Sequence, residues 1–368
     1  MTKAPKQTPL VESLPATVPF VGPEAQERSR GAVFAARLGA NENVFGPSPK
    51  AIAAMQKAAG EVWQYADPES HDLRKALAEK HGVEMENIVI AAGIDTLLGC
   101  VARLYVEPGV NVVTSLGAYP TFNFHVNGFG GTLHTVPYSD DHEDPDALLA
   151  AANEHDAKLI YISNPDNPMG TWWDANRMQA MIDNVPDESI LLLDEAYIET
   201  APDGTAPTID VSNDQVLRFR TFSKIYGMAG ARVGYCIGHK DIIAGFEKVR
   251  NHFGMNRIAE EGALASLDDH EHLPQITAKI ATSREKIAEI ADQNGLKSLP
   301  SATNFVAIDC GRDGEFAKSV MNGLIEEGVF VRMPGVEPMS RCIRISAGRD
   351  EDLAIFAEAL PKVLAKLD

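Results

Sequence analysis

The sequence predicts an α/β protein with a second, smaller α+β domain. Three observations carry that reading. The first is a series of short apolar runs separated by stretches of helical spacing: "NIVIAAG", "NVVTS", "LHTVPY", "KLIYIS", "SILLLDE", "QVLRFRT" and "ARVGYCIG". Most lack the polar alternation of a half-solvated strand, so both faces of the sheet are expected to be covered, as in parallel or mixed sheets. The second is a change of pattern after about residue 240. Long helical stretches run to 295 and are followed by "TNFVAIDC", a helix over 314–327, "VFVRM", "RCIRISAG" and a last helix over 350–366. The third is length, since 368 residues accommodate about two domains at roughly 150 residues each.

Taken in order, residues 1–30 read as an arm. Pro5, Pro9, Pro15, Pro19 and Pro23 are expected to keep it extended. Leu10, Leu14, Val18 and Phe20 suggest that it lies on its own body or on a partner subunit. The large domain is expected over 31–255, its first part contributing to the small domain, and the small domain over 256–368. Within the large domain "DLRKALAEKHG" has helical spacing and a glycine stop. Helices are also expected over 95–106, 119–127 and 174–184.

Composition narrows the function. Formal net charge is −19, from 33 basic and 52 acidic residues, a field that repels nucleic acid and anionic membranes. Cys100, Cys236, Cys310 and Cys342 form no C-x-x-C pair and read as buried thiols in a reducing compartment. No signal peptide is visible, and no apolar run approaches the roughly 18 residues of a membrane span. A cytoplasmic protein is expected. The acidic and histidine-bearing "DDHEHL" reads as a solvated helix end, and no metal is expected.

Four polar phrases fall where strands end, which is where open α/β sheets place their sites. "AAGIDT" puts Gly93, Ile94 and Asp95 at a helix start, where free N–H groups suit a phosphate. "YISNPDNPMG" holds Asn167 between stiffening prolines. "LLLDEAY" ends four apolar residues with Asp194, a carboxylate that is expensive to bury unpaired. Tyr197 follows three residues on. "RTFSKIYGMAGARVGY" brings Lys224, Ser223 and Arg232. Singly these read equally as turns, a helix cap and a surface lysine. Together they supply an amine to attack a carbonyl, a carboxylate for a ring nitrogen, donors to a phenolate oxygen and a phosphate pocket. Those are the requirements of pyridoxal phosphate.

The chain resembles the fold-type-I pyridoxal-phosphate aminotransferases of class I/II, and within them the histidinol-phosphate aminotransferase branch. The resemblance runs from "ANENVFGPSP" (40–49) to "RCIRISAGRDEDL" (341–353). It implies a mainly parallel, seven-stranded sheet flanked by helices and a homodimer with shared active sites. It further implies that Lys224 binds the cofactor aldehyde as a Schiff base, Asp194 pairs with the pyridine nitrogen, and Asn167 and Tyr197 bond the phenolate oxygen. Ser223, Arg232, Gly93 and the backbone of Ile94 and Asp95 would hold the phosphate, and Phe122 would stack on the ring. Tyr65 would reach the neighbouring subunit's cofactor phosphate. Asn41, Phe20, Arg332 and Arg344 would meet an amino donor or a 2-oxo acid, with Arg344 receiving its anionic group. Arg257 is a further candidate near the entrance.

Three positions depart from the family pattern. Thr96 stands where glutamate is common, Phe122 where tyrosine is common, and Phe20 lacks the hydroxyl of the usual Thr-Pro-Tyr. Two other functions fit less well. A decarboxylase similar to the threonine-phosphate decarboxylases would use the same cofactor to break a different bond. A non-catalytic cofactor-binding module would want a basic DNA-binding appendage, which is absent from the sequence.

Overall fold

A computed structural model describes residues 5–16 and 21–367. In chain order the strands are β1 (Ala36–Arg37), β2 (Ile88–Ala91), β3 (Asn111–Ser115), β4 (Thr132–Val136), β5 (Leu159–Ser163), β6 (Ile190–Asp194), β7 (Val216–Thr221), β8 (Gly234–Ile237), β9 (Lys297–Ser298), β10 (Phe305–Asp309), β11 (Val329–Phe330) and β12 (Cys342–Ser346). β2 to β8 form one seven-stranded sheet in the order β2-β8-β7-β6-β5-β3-β4. β8 runs antiparallel to both its neighbours, and the other pairs are parallel. The fold is therefore the mainly parallel α/β architecture that the apolar runs predict.

Burial explains the strand composition. Every residue of β5, β6 and β7 is buried. Leu192, Tyr161 and Phe219 pack on one face beneath the helix Ile94–Tyr105, and Leu191, Leu193 and Ile160 on the other beneath Pro145–Glu154 and Ala175–Ile182. Strands covered on both sides have no reason to alternate with polar residues. A smaller unit holds the antiparallel sheet β12-β10-β9, packed on the helices His272–Gln293, Gly314–Glu326 and Asp350–Leu367. β1 pairs in parallel with β11, which ties residues 36–37 to that unit.

The arm differs from its expectation. Pro9 and Pro23 begin the helices Pro9–Ser13 and Pro23–Arg30 rather than preventing them. Proline at the first helical position loses nothing, because the N–H there has no intrahelical partner. Val18 and Phe20 lie outside the described residues. The cysteines are free and buried, as expected. Among the described residues no helix is long and apolar enough to cross a membrane.

Candidate active site

The carboxyl ends of β5, β6 and β7 lie side by side, because the register pairs Ser163 with Asp194 and Asp194 with Phe219. A pocket of about 110 Å³ opens there. Its walls carry Lys224, Asp194, Asn167, Tyr197, Ser223 and Arg232, six of the residues that the sequence singles out. Ile94 and Asp95 close one end.

That end is built for close approach. Gly93 caps the helix Ile94–Tyr105 with φ +89°, a conformation that glycine tolerates and other residues resist. A Cβ at Gly93 would stand 2.3 Å from the Arg232 guanidinium. Gly234 of β8 lies so near that its Cβ would meet the Gly93 carbonyl carbon at 2.8 Å. Arg232 donates to the Ser223 hydroxyl at 3.2 Å and lies 3.9 Å from the Asp95 carboxylate. A hydroxyl, a guanidinium and the first N–H groups of a twelve-residue helix thus converge, and this is an anion cradle.

Asp194 is 5% exposed at the end of β6. Burial raises its carboxyl to about 6, against two hydrogen bonds that favour the charged form. One comes from the Ala196 N–H to Oδ1 at 2.9 Å, the other from the Tyr161 hydroxyl to Oδ2 at 2.8 Å. Among the described residues no arginine or lysine pairs with it, so a cationic ring nitrogen would find an unneutralised partner. Lys224 Nζ donates to the Asn41 carbonyl at 3.3 Å and lies 5.2 Å from the centre of the Tyr197 ring. The Tyr197 hydroxyl accepts from Asn41 Nδ2 at 3.0 Å. Asn41 is buried, with φ +54°, and its N–H donates to the Ser346 hydroxyl at 2.9 Å. It links the pocket to the small unit.

A larger cavity of about 610 Å³ shares Tyr119, Asn167 and Lys224 with the pocket and adds Asn41, Arg332 and Arg344. Arg344 Nη1 donates to Asn167 Oδ1 at 2.5 Å. Its Nε is buried without a hydrogen-bond partner among the described residues, and burial lowers the guanidinium to about 10. A half-buried cation with a buried, unused donor is poised for an anion. Arg332 donates to the Val21 carbonyl at 3.0 Å, and burial lowers its pKa too.

Two expectations, Phe122 over the ring and Arg257 near the entrance, are corrected. Phe122 does not face the pocket. It sits inside the helix Thr121–Gly128, fully buried and stacked on Tyr161 with ring centroids 5.1 Å apart. The aromatic side chain that this segment presents to the pocket is Tyr119, which lies in the turn before that helix and donates to Asp95 Oδ1 at 3.0 Å. A rim position suits a hydroxyl-bearing ring, and "AYPTF" offers that choice in its tyrosine. Tyr65 is 78% exposed, packs on Phe253 at 4.8 Å and borders a separate cavity, away from the Lys224 pocket of its own chain. Arg257 borders the same separate cavity and pairs with Glu61 at 2.9 Å. Phe20 lies outside the described residues. Tyr161, Ser163 and Thr221 also line the pocket. Sequence reasoning passes over them because inside an apolar strand they read as core.

This architecture, with a lysine, an unneutralised buried carboxylate and an anion cradle at adjoining strand ends, defines an enzyme of the pyridoxal-phosphate transferase fold. The comparisons agree. Residues 36–360 match the model of the family described as aminotransferase class I and II, and the chain belongs to that family. It is 52% identical to the histidinol-phosphate aminotransferase of Sinorhizobium meliloti, solved in complex with pyridoxal 5'-phosphate, with a TM-score of 0.97 and 100% of both chains covered. It is 35% identical over 332 residues to histidinol-phosphate aminotransferase 2 of Pseudomonas aeruginosa, covering 89% of each. It is 31% identical over 365 residues to the histidinol-phosphate aminotransferase of Moorella thermoacetica, covering 98% of this chain and 94% of that one.

Proposed function

We propose that this enzyme moves an amino group between an anionic amino compound, histidinol phosphate in the first instance, and a 2-oxo acid. The class itself is plain: the family together with its named relatives makes this a pyridoxal-phosphate-dependent aminotransferase. The substrate reading is supported by the names of the relatives. The observation that carries it is the half-buried Arg344, whose buried Nε has no hydrogen-bond partner among the described residues, on the cavity that leads to Lys224.

The side chains fit the cofactor, because the groups it requires line one pocket. Ser223, Arg232 and the helix start at Ile94 would hold the phosphate. Asn167 and Tyr197 would bond the phenolate oxygen, and Tyr119 would cover a ring face. When bound, pyridoxal phosphate supplies an electron-accepting ring for the charge left as the substrate's α-proton departs. Asp194 would hold the proton at the ring nitrogen, which keeps that acceptor strong. Lys224 Nζ would bind the cofactor aldehyde and would serve as the base that moves the α-proton. Arg344 would fix the substrate's anionic end and so orient the α-carbon, with Asn41 and Arg332 on the same cavity.

We infer a homodimer in which Tyr65 serves the partner's cofactor phosphate. Its exposure beside Trp63 and Phe253 supports that reading, because large exposed apolar patches mark interfaces. Four free, buried thiols suit a reducing cytoplasm.

The substrate test is a half-reaction assay of holoenzyme, followed by absorbance, against histidinol phosphate, aromatic amino acids and glutamate. The reading expects histidinol phosphate to show the highest kcat/KM and Arg344→Lys to lower it by about tenfold or more. A higher kcat/KM for an aromatic amino acid or glutamate, or an Arg344→Lys variant that keeps wild-type kcat/KM, would overturn it.

A further inference from the structure

Among the polar groups in the pocket to which the mechanism above gives no role is the Tyr161 hydroxyl. Tyr161 lies on β5 and is fully buried. The parallel register places it beside Leu192, two residues short of Asp194 on the adjoining strand. Side chains two residues apart share a face, so a ring leaning along the strand reaches the carboxylate. Its hydroxyl donates to Asp194 Oδ2 at 2.8 Å.

We propose that Tyr161 is a positioning residue for the transamination, holding the Asp194 carboxylate ionised and turned toward the ring nitrogen. The inference rests on the reading that Asp194 receives that nitrogen. Three observations support it. First, the Tyr161 ring alone satisfies the core. It packs among Leu192, Phe219 and Phe122, apolar neighbours that a phenylalanine would suit equally. A hydroxyl buried there is costly without a partner, and its partner is Asp194. Second, Asp194 has little other support. Burial disfavours its charged form, and so do Asp95, at the start of the helix Ile94–Tyr105, and Glu143, before the helix Pro145–Glu154. Only the Tyr161 hydroxyl and the Ala196 N–H oppose them among its hydrogen-bond partners. Third, Tyr161 is itself fixed. Phe122 stacks on it with ring planes 21° apart, so the residue expected over the cofactor acts one layer behind it.

The consequence concerns protons. An ionised Asp194 keeps a proton on the ring nitrogen, whereas a protonated Asp194 cannot attract one. Losing the hydroxyl leaves Oδ2 buried and unpaired and raises the carboxyl further. Cofactor binding should then fail at a higher pH on the acid side.

The test uses apoenzyme reconstituted with pyridoxal phosphate, with the dissociation constant measured by fluorescence from pH 5 to 8. It compares wild type, Tyr161→Phe, Asp194→Asn and the double variant. Tyr161→Phe should weaken binding about tenfold and move the acid limb upward by about one pH unit. In the Asp194→Asn background the same change should alter binding by less than about twofold, because the group it acts through has gone. An unmoved acid limb, or equal weakening in both backgrounds, would overturn the proposal. If Asp194→Asn alone leaves binding and its pH profile intact, the assignment of Asp194 fails first and the two failures are told apart. Should Tyr161→Phe not fold, a ring-fluorinated tyrosine at 161 replaces it. Its stronger donor should move the acid limb downward, and an unmoved or rising limb would contradict the proposal.

Discussion

Asp194 and Glu195 are consecutive, both carboxylates and both buried, and the protein treats them in opposite ways. Glu195 is clamped on one side of the sheet by Arg218 and Arg220, with its Oε2 accepting from Arg218 Nε at 3.0 Å and from Arg220 Nε at 2.9 Å. Burial works against its charge, but the two guanidiniums outweigh it and hold its pKa below the ordinary carboxylate value. Asp194, on the other side, has only a hydroxyl and one N–H, and burial wins. A neutralised carboxylate needs nothing further from a ligand. An unneutralised one is unfinished until a cation arrives, and a protonated pyridine is such a cation. The difference separates a structural acid from a functional one where sequence position does not.

Asp194→Asn puts the largest strain on this comparison. It should lower kcat by about 10²–10⁴-fold while the apoenzyme's melting temperature at neutral pH rises, because a buried carboxylate no longer has to ionise there. Glu195→Gln should do the reverse. Leaving two buried guanidiniums short of a counter-charge should cost about 3 kcal/mol of folding stability, read by urea denaturation, with the absorbance of the folded holoenzyme unmoved. Equal losses of activity in both variants would erase the distinction.

The stability–pH profile of the apoenzyme sharpens it. Asp194's pKa rises on folding, from 3.8 to about 6. Between those values the native state binds more protons than the unfolded one, so this residue's contribution falls as pH rises through the window, on the order of 3 kcal/mol in all. Glu195 has the opposite sign. Its stabilisation is present above the unfolded value and is lost as pH falls through the lowered folded one. Asp194→Asn should therefore remove the decline between about pH 4 and 6, and Glu195→Gln should flatten the more acidic limb.

The smallest effects separate Tyr119 from Phe122. Tyr119→Phe removes one hydrogen bond to Asp95 and should weaken cofactor binding by about two- to tenfold, measured by equilibrium dialysis. Phe122→Leu should cost about 1 kcal/mol of stability with a weaker effect on binding.

Much of this was legible in the sequence. The continuous apolar runs announced a sheet covered on both sides, and the polar residues that end those runs marked the pocket. Helices opening on proline were harder to read. Pro49–Ala58 and Pro145–Glu154 are preceded by Ser48 and Asp144, whose side chains accept from the first free N–H groups. A proline that looks like a breaker is there a helix start. Tyr161 was illegible for another reason. Inside "LIYIS" nothing distinguishes a tyrosine that fills the core from one that also serves a carboxylate on the next strand, since the distinction lies in strand register. Phe122 shows the converse, where a plausible aromatic turns inward because it falls inside a helix rather than in the turn before it.

The most direct test of the account is borohydride reduction of the holoenzyme followed by peptide mapping. The account predicts a pyridoxyl mass on Lys224 and on no other residue. A label elsewhere, or none in fully loaded enzyme, would contradict it.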